Sequence, residues 1–132
     1  MKIKLIIIFL ISCAFLVADK QGIKGNWTLI QFINKESGNI IYQNEDKNHL
    51  TIDFKDDVSL KGNLTVNEFL GLYEILSDST LEFKMGGITR VCCDDSWGER
   101  FIDDLKLVKK YQIKLDTLIL TAQSDIMKLI KS

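Results

Sequence analysis

Two adjacent thiols, Cys92 and Cys93, are by type the residues of this chain best suited to chemistry. A vicinal cysteine pair can act as a redox switch. Consecutive Cα atoms lie only about 3.8 Å apart, so a ring closed across them is strained and easily reduced. That strain argues against a bond between the two. It leaves a disulfide between two copies, or one buried thiol beside one exposed thiol. His49 is the single histidine, so any Ser-His-Asp or Cys-His arrangement would depend on it. It stands in a polar turn ahead of a strand, where a surface residue is expected. Asp94-Asp95 and Asp103-Asp104 have the composition of a cation site, but a helix dipole accounts for the first pair and a solvated helix face for the second. No phosphate-binding glycine motif, H-x-x-x-H or C-x-x-C occurs. Asn26-Trp-Thr28 and Asn63-Leu-Thr65 are formal glycosylation sequons, which matter only in a eukaryotic source. Catalysis needs groups of matched pKa held in a cleft. These residues offer no such set, so the chain reads as a non-enzyme with no cofactor, no metal ligand and no catalytic residue.

The elements that must position these residues are mostly strands. Asn26 to Ile33 is apolar on both faces, with Trp27, Leu29 and Ile33 on one side and Thr28, Ile30 and Phe32 on the other. A short strand is expected over Asn39 to Tyr42. Leu50 to Phe54 and Val58 to Leu60 form a hairpin pattern around Lys55-Asp56-Asp57. Gly62 to Tyr73 reads as a strand leaving the sheet through an irregular loop, with Gly62 and Gly71 free to take positive φ and the Tyr73 hydroxyl closing the loop. Leu81 to Met85 and Ile88 to Cys93 flank Gly86-Gly87, a two-residue hairpin signal; a tight turn would put Cys92 on the face of Leu81 and Phe83 and Cys93 on the other, and a one-residue bulge would reverse this. One helix follows at about 96–110. Ser96-x-x-Glu99 matches a capping box, and Trp97, Phe101, Leu105 and Val108, with Ile102 beside them, form its apolar stripe. Tyr111 to Leu115, Thr117 to Ala122 and Ile126 to Ile130 close the chain as strands.

The spacing G-x-x-x-x-N-x-F-x-G-x-Y, carried by Gly62, Asn67, Phe69, Gly71 and Tyr73, resembles the signature of the META/HslJ-like domain family. Leu81 and Phe83, then Thr89-Arg90-Val91-Cys92-Cys93, resemble that family's L-x-F…T-x-M-x-C block. Trp27 and the Tyr111 to Leu120 segment also sit where the family has them. Where the family commonly has Gly-Cys before the Asn, this chain has Thr65-Val66, which leaves a cysteine partnership between the blocks without support. The signature residues, Thr89 and Cys93 included, read as structural. The resemblance implies a compact sheet-plus-helix module of the cell envelope or secreted space, associated with stress tolerance. It agrees with the fold expected from the pattern: α+β, a strongly curved and mostly antiparallel sheet or partly open barrel with the helix covering one opening.

Length and charge bound the rest. The chain has 132 residues, 46% hydrophobic and 27% charged, which suits one ordered domain over 19–132. Beyond the first eighteen residues it carries 15 basic against 18 acidic side chains, a net of −3, and no basic stripe interleaved with aromatics, so nucleic acid is not an expected partner. Lys2 and Lys4 precede an apolar run from Leu5 to Ala18, too short to span a bilayer comfortably and of the length of an export signal. Leu10-Ile11-Ser12-Cys13 fits a lipobox with Cys13 acylated; cleavage after Ala18 is the alternative, and an uncleaved anchor the third. Export to the periplasm, or to the outer membrane as a lipoprotein, is the expected localisation, with membrane contact only through that lipid. Two functional classes stay open. One is a non-catalytic envelope module that binds an apolar small molecule or a protein. The other is a thiol-redox or inhibitory protein using Cys92-Cys93. Trp27, Leu29, Leu50, Ile52, Phe54, Leu60, Phe83, Leu118 and Leu120 either fill the interior of the sheet or enclose a small cavity. Intact mass after expression in a bacterial host is expected to show an acyl adduct on Cys13 or a start at Asp19; a mature chain beginning at Met1 contradicts both.

Overall fold

The computed structural model describes residues 22–45, 50–90 and 93–132. It contains β1 (Gly25–Asn34), β2 (Ile40–Gln43), β3 (Thr51–Phe54), β4 (Ser59–Asn63), β5 (Glu68–Ile75), β6 (Leu81–Ile88), α1 (Ser96–Lys106), β7 (Lys110–Lys114), β8 (Thr117–Thr121) and β9 (Asp125–Lys131). The strands form a curved antiparallel sheet in the order β6-β5-β4-β3-β1-β9-β8-β7, with β2 added to β1. The two ends of the sheet approach each other where Leu81 N donates to Lys109 O at 3.1 Å and Tyr111 N to Ser79 O at 3.0 Å. The result is a half-barrel with one helix, predominantly β and therefore only loosely α+β.

The interior is filled by side chains. Trp27, Leu29, Phe32, Ile52, Phe69, Phe101, Leu118 and Leu129 are fully buried. Strict alternation along β1 would separate Trp27 and Leu29 from Phe32. A register shift against β9 between Leu29 and Gln31 resets the phase and brings all three inside. The buried Trp27 indole keeps a partner by donating to Ile23 O at 2.7 Å.

The expected loop from Gly62 to Tyr73 is instead a hairpin. Only residues 64–67 form the turn, closed by Leu64 N donating to Asn67 O at 2.7 Å, and β5 resumes at Glu68. Phe69, Gly71 and Tyr73 alternate inward along it, a period that the glycine concealed. Neither Gly62 nor Gly71 has positive φ. Their need is space: a Cβ on Gly62 would fall 1.9 Å from the Phe69 ring, and one on Gly71 would fall 2.8 Å from Lys84 O. Gly62 faces Phe69 across the strand pair, so the ring lies over the glycine backbone. The Tyr73 hydroxyl does bond, donating to Lys55 O at 2.7 Å in the β3–β4 turn.

Gly86-Gly87 is likewise not a hairpin. β6 runs through it to Ile88, and Phe69 pairs with Ile88 while Gly71 pairs with Met85, so the glycines form a bulge on an edge strand. Of the strand expected from Ile88 to Cys93, Thr89, Arg90 and Cys93 lie outside any strand. Val91 and Cys92 lie outside the described residues, as do His49 and Cys13.

The helix starts where expected but is capped by Asp95, not Ser96: Gly98 N donates to Asp95 Oδ1 at 2.8 Å. It ends at Lys106, short of 110. Leu107 N and Val108 N turn back onto Asp104 O and Leu105 O, and Lys109 is engaged by the sheet through Thr121 O and Leu81 N. Its apolar stripe packs onto the sheet mouth, with Phe101 edge-on to Phe69 at 5.9 Å between ring centroids. Phe101→Ala should lower stability by roughly 3–5 kcal/mol. Leu107→Ala, on an exposed side chain, should change it by less than about 0.5 kcal/mol; equal effects in urea denaturation would show that the helix does not dock this way.

Candidate functional site

Of the signature residues, Asn67, Thr89 and Cys93 lie where the β4–β5 turn meets the approach to α1, and Val66 and Asn67 share one acceptor there. That acceptor is Asp94. Val66 N donates to Asp94 Oδ1 at 2.7 Å and Asn67 N to the same oxygen at 3.3 Å, while Asn67 Nδ2 donates to Asp94 Oδ2 at 2.7 Å. Thr89 extends the network by donating to Asn67 Oδ1 at 3.3 Å and accepting from Glu68 N at 2.9 Å. Thr65 Oγ1 donates to Asp95 Oδ2 at 3.1 Å. Desolvation, the strongest single influence on Asp94, pushes its carboxyl upward, but the bonds from Val66 and Asn67 together outweigh it and hold the group below its ordinary value. The two aspartates thus divide the work: Asp95 caps the helix, and Asp94 ties the helix entrance to the turn.

The middle and last turn of the helix make a second polar anchor. Asp103 is exposed, but Asp104 is buried, which corrects the reading of this pair as a solvated face. Asp104 stands three residues beyond Phe101 and seven beyond Trp97, within the stripe itself; the spacing was visible and the residue type masked it. Arg100 reaches Asp125 at the start of β9 with a two-pronged grip, Nε to Oδ2 at 2.6 Å and Nη2 to Oδ1 at 2.7 Å. Asp125 is 1% exposed and Asp104 7%. Burial, then the hydrogen bond to Asp125 and the charge of Asp125, push the Asp104 carboxyl up to about 8, whereas the Arg100 bond holds Asp125 below its ordinary value. The guanidinium also lies 5.8 Å from the Trp97 ring and 5.9 Å from that of Phe32. Trp97 in turn stacks on Tyr42 at 4.3 Å between centroids. None of these polar residues except Asp104 was singled out from sequence, because Arg100 and Asp125 are brought together only by helix docking.

Cys93 is exposed, on the rim of a cleft of about 420 Å³ that Asn67, Thr89, Arg90, Glu99 and Lys106 also line. Gly62, Phe69, Gly71 and Tyr73 lie inside the sheet and take no part in that cleft. Among the described residues no group of three His, Cys, Asp or Glu side chains is placed to hold a metal ion. The arrangement on this side of the molecule can grip a helix.

The sequence profile of the META domain matches residues 20–132. The chain belongs to the META domain family. A comparison with curated proteins found no significant match. Among solved structures, a DUF4847 family protein from Bacteroides vulgatus superposes with a TM-score of 0.64 at 19% identity, over 83% of this chain and 93% of that one, and at that identity the likeness is one of fold.

In this META domain the Asp94 clamp should be measurable. Asp94→Ala removes the charged acceptor of the buried Asn67 amide and should cost about 1–3 kcal/mol. Because the folded carboxyl titrates below its ordinary value, its contribution is present above the carboxylate range and lost as pH falls through Asp94's own titration. Urea denaturation between pH 7 and pH 3 should therefore show the gap between wild type and variant closing toward acid; a constant gap would contradict the charge-based clamp.

Proposed function

We propose that this META domain is a non-catalytic module of the cell envelope, exported as its N-terminus suggests, that binds a protein partner through the outer face of β4, β5 and β6. The observation that carries the reading is the placement of Leu70 and Leu72, which point outward from β5, the strand next to the β6 edge, and are 55% and 49% exposed. Val58, 53% exposed, lies beside Leu72 and is held at φ 63°, an unfavourable conformation for a β-branched residue. Strain of this kind persists where the surroundings enforce it and often marks sites of interaction. Lys61, Glu68, Glu74 and Lys84 surround these apolar side chains, giving the apolar centre and polar rim of a protein interface. The filled interior adds support, since a domain packed with Trp27, Phe32 and Phe69 offers its chemistry on the outside.

A second reading, apolar small-molecule binding, draws on a different feature. Ile23, Tyr111, Ile113 and Ile119 line an open cleft of about 640 Å³ along the β7 edge, with Asp78, Lys110 and Gln112 supplying polar groups. A photo-crosslinking residue at position 70, in the cells that make the protein, separates the two. The protein-partner reading expects one discrete adduct at position 70, absent from an equivalent probe at Lys114 and lost on Leu72→Asp with the fold intact. No adduct, together with saturable dye binding abolished by Ile113→Asp, would favour the small-molecule reading. Turnover or thiol exchange that depends on Cys93 would overturn both.

A further inference from the structure

We propose that Arg100, Asp125 and Asp104 form a proton-operated latch that fastens α1 over the mouth of the half-barrel, closed when the two carboxyl groups share one proton and loosened when that proton leaves. The geometry points there first. Arg100 occupies both oxygens of Asp125, so Asp125 sits in the core as an ionised partner. Asp104 Oδ2 is buried and finds no donor among the described residues. A buried carboxylate in that position would be an uncompensated second negative charge beside a single guanidinium. As the acid, Asp104 carries no charge to compensate and can donate its proton to Asp125, an interaction that favours the protonated form.

The charged groups acting on Asp104 are Asp125 from β9 and Arg100 and Asp103 from its own helix; both aspartates favour the protonated form, and Arg100 opposes it. The bond that the latch controls joins α1 to β9, and β9 continues directly into the strand pair with β1. Opening would free the buried face of Phe101, Ile102 and Leu105 while leaving the Asp94 clamp at the other end of the helix in place.

The direction of the pH response follows from linkage. Asp104 in the docked helix keeps its proton up to about 8, while in the undocked helix it titrates near the ordinary value of about 3.9. Its support for docking is therefore complete below about pH 4 and is withdrawn as pH rises through the folded titration, by up to about tenfold in the opening constant per pH unit. Asp125 acts oppositely: its carboxyl lies below the ordinary value, so its support is lost only as the medium becomes strongly acidic. The latch is tightest in mild acid and loosens toward alkaline pH.

Amide hydrogen exchange of the 97–106 segment of the full chain, corrected for the base-catalysed intrinsic rate, tests this. Helix protection in the wild type should fall between about pH 5 and pH 8 by at least tenfold in total, with β8 amides unchanged. Asp104→Asn, which is neutral and still donates to Asp125, should keep the helix protected and remove the slope. A wild-type helix with pH-independent protection, or a slope that survives in Asp104→Asn, overturns the latch. If that variant does not fold, carbon-13 titration of the wild-type Asp104 carboxyl decides, and a midpoint in the ordinary aspartate range overturns the proposal equally.

Discussion

The rest of the structure depends on the burial of one face of β1. This strand pairs with β3 and β2 on one side and with β9 on the other, so it joins the β3–β6 half of the sheet to the β7–β9 half. Trp27, Leu29 and Phe32 are too large to be covered by either half alone. Burying a large apolar side chain contributes about 1.5–3 kcal/mol, and here that gain is realised only when the sheet curls and the opposite walls meet over the strand. Curvature, the shifted register after Leu29 and the close approach of residues 79–81 to 109–111 all serve that one requirement.

A curled sheet leaves a mouth, and the helix closes it. An eleven-residue helix is too short to be stable by itself, so its position rests on what it packs against and on how its ends are tied. The two ties differ in kind. At the entrance, one ionised carboxylate collects several amide donors from the β4–β5 turn, a satisfied arrangement that favours charge. Further along the helix, two buried carboxyl groups meet one half-exposed guanidinium, and their balance is met by one proton. The first fixes the helix and the second makes its hold depend on the medium.

The family signature gains a physical meaning from these contacts. Gly62 clears room for the Phe69 ring, Gly71 lets β5 and β6 approach, Tyr73 ties the β3–β4 turn, and Asn67 with Thr89 links the β4–β5 turn to Asp94. These residues are spaced for packing and clamping, which is why the motif marks a fold so clearly.

Much of this was legible in the chain itself. An apolar run marked a strand over 26–33, hairpin patterns marked 50–60 and strand patterns 111–122, and the stripe of Trp97, Phe101, Leu105 and Val108 marked the helix, because side-chain patterning is a local property set by backbone geometry. Other features were decided only in three dimensions. Gly62, Gly71 and Gly86-Gly87 looked like turn residues because a glycine announces conformational freedom but not the ring or strand that needs its space. Asp95 took the cap from Ser96, its carboxylate accepting from Gly98 N. Asp103 and Asp104 looked alike as neighbours in sequence, yet one faces water and the other a buried ion pair. Arg100 and Asp125 stand twenty-five residues apart, and no local pattern relates them. Charge, burial and proton affinity at such a site depend on which distant groups are packed against each other, and that is fixed by the tertiary fold alone.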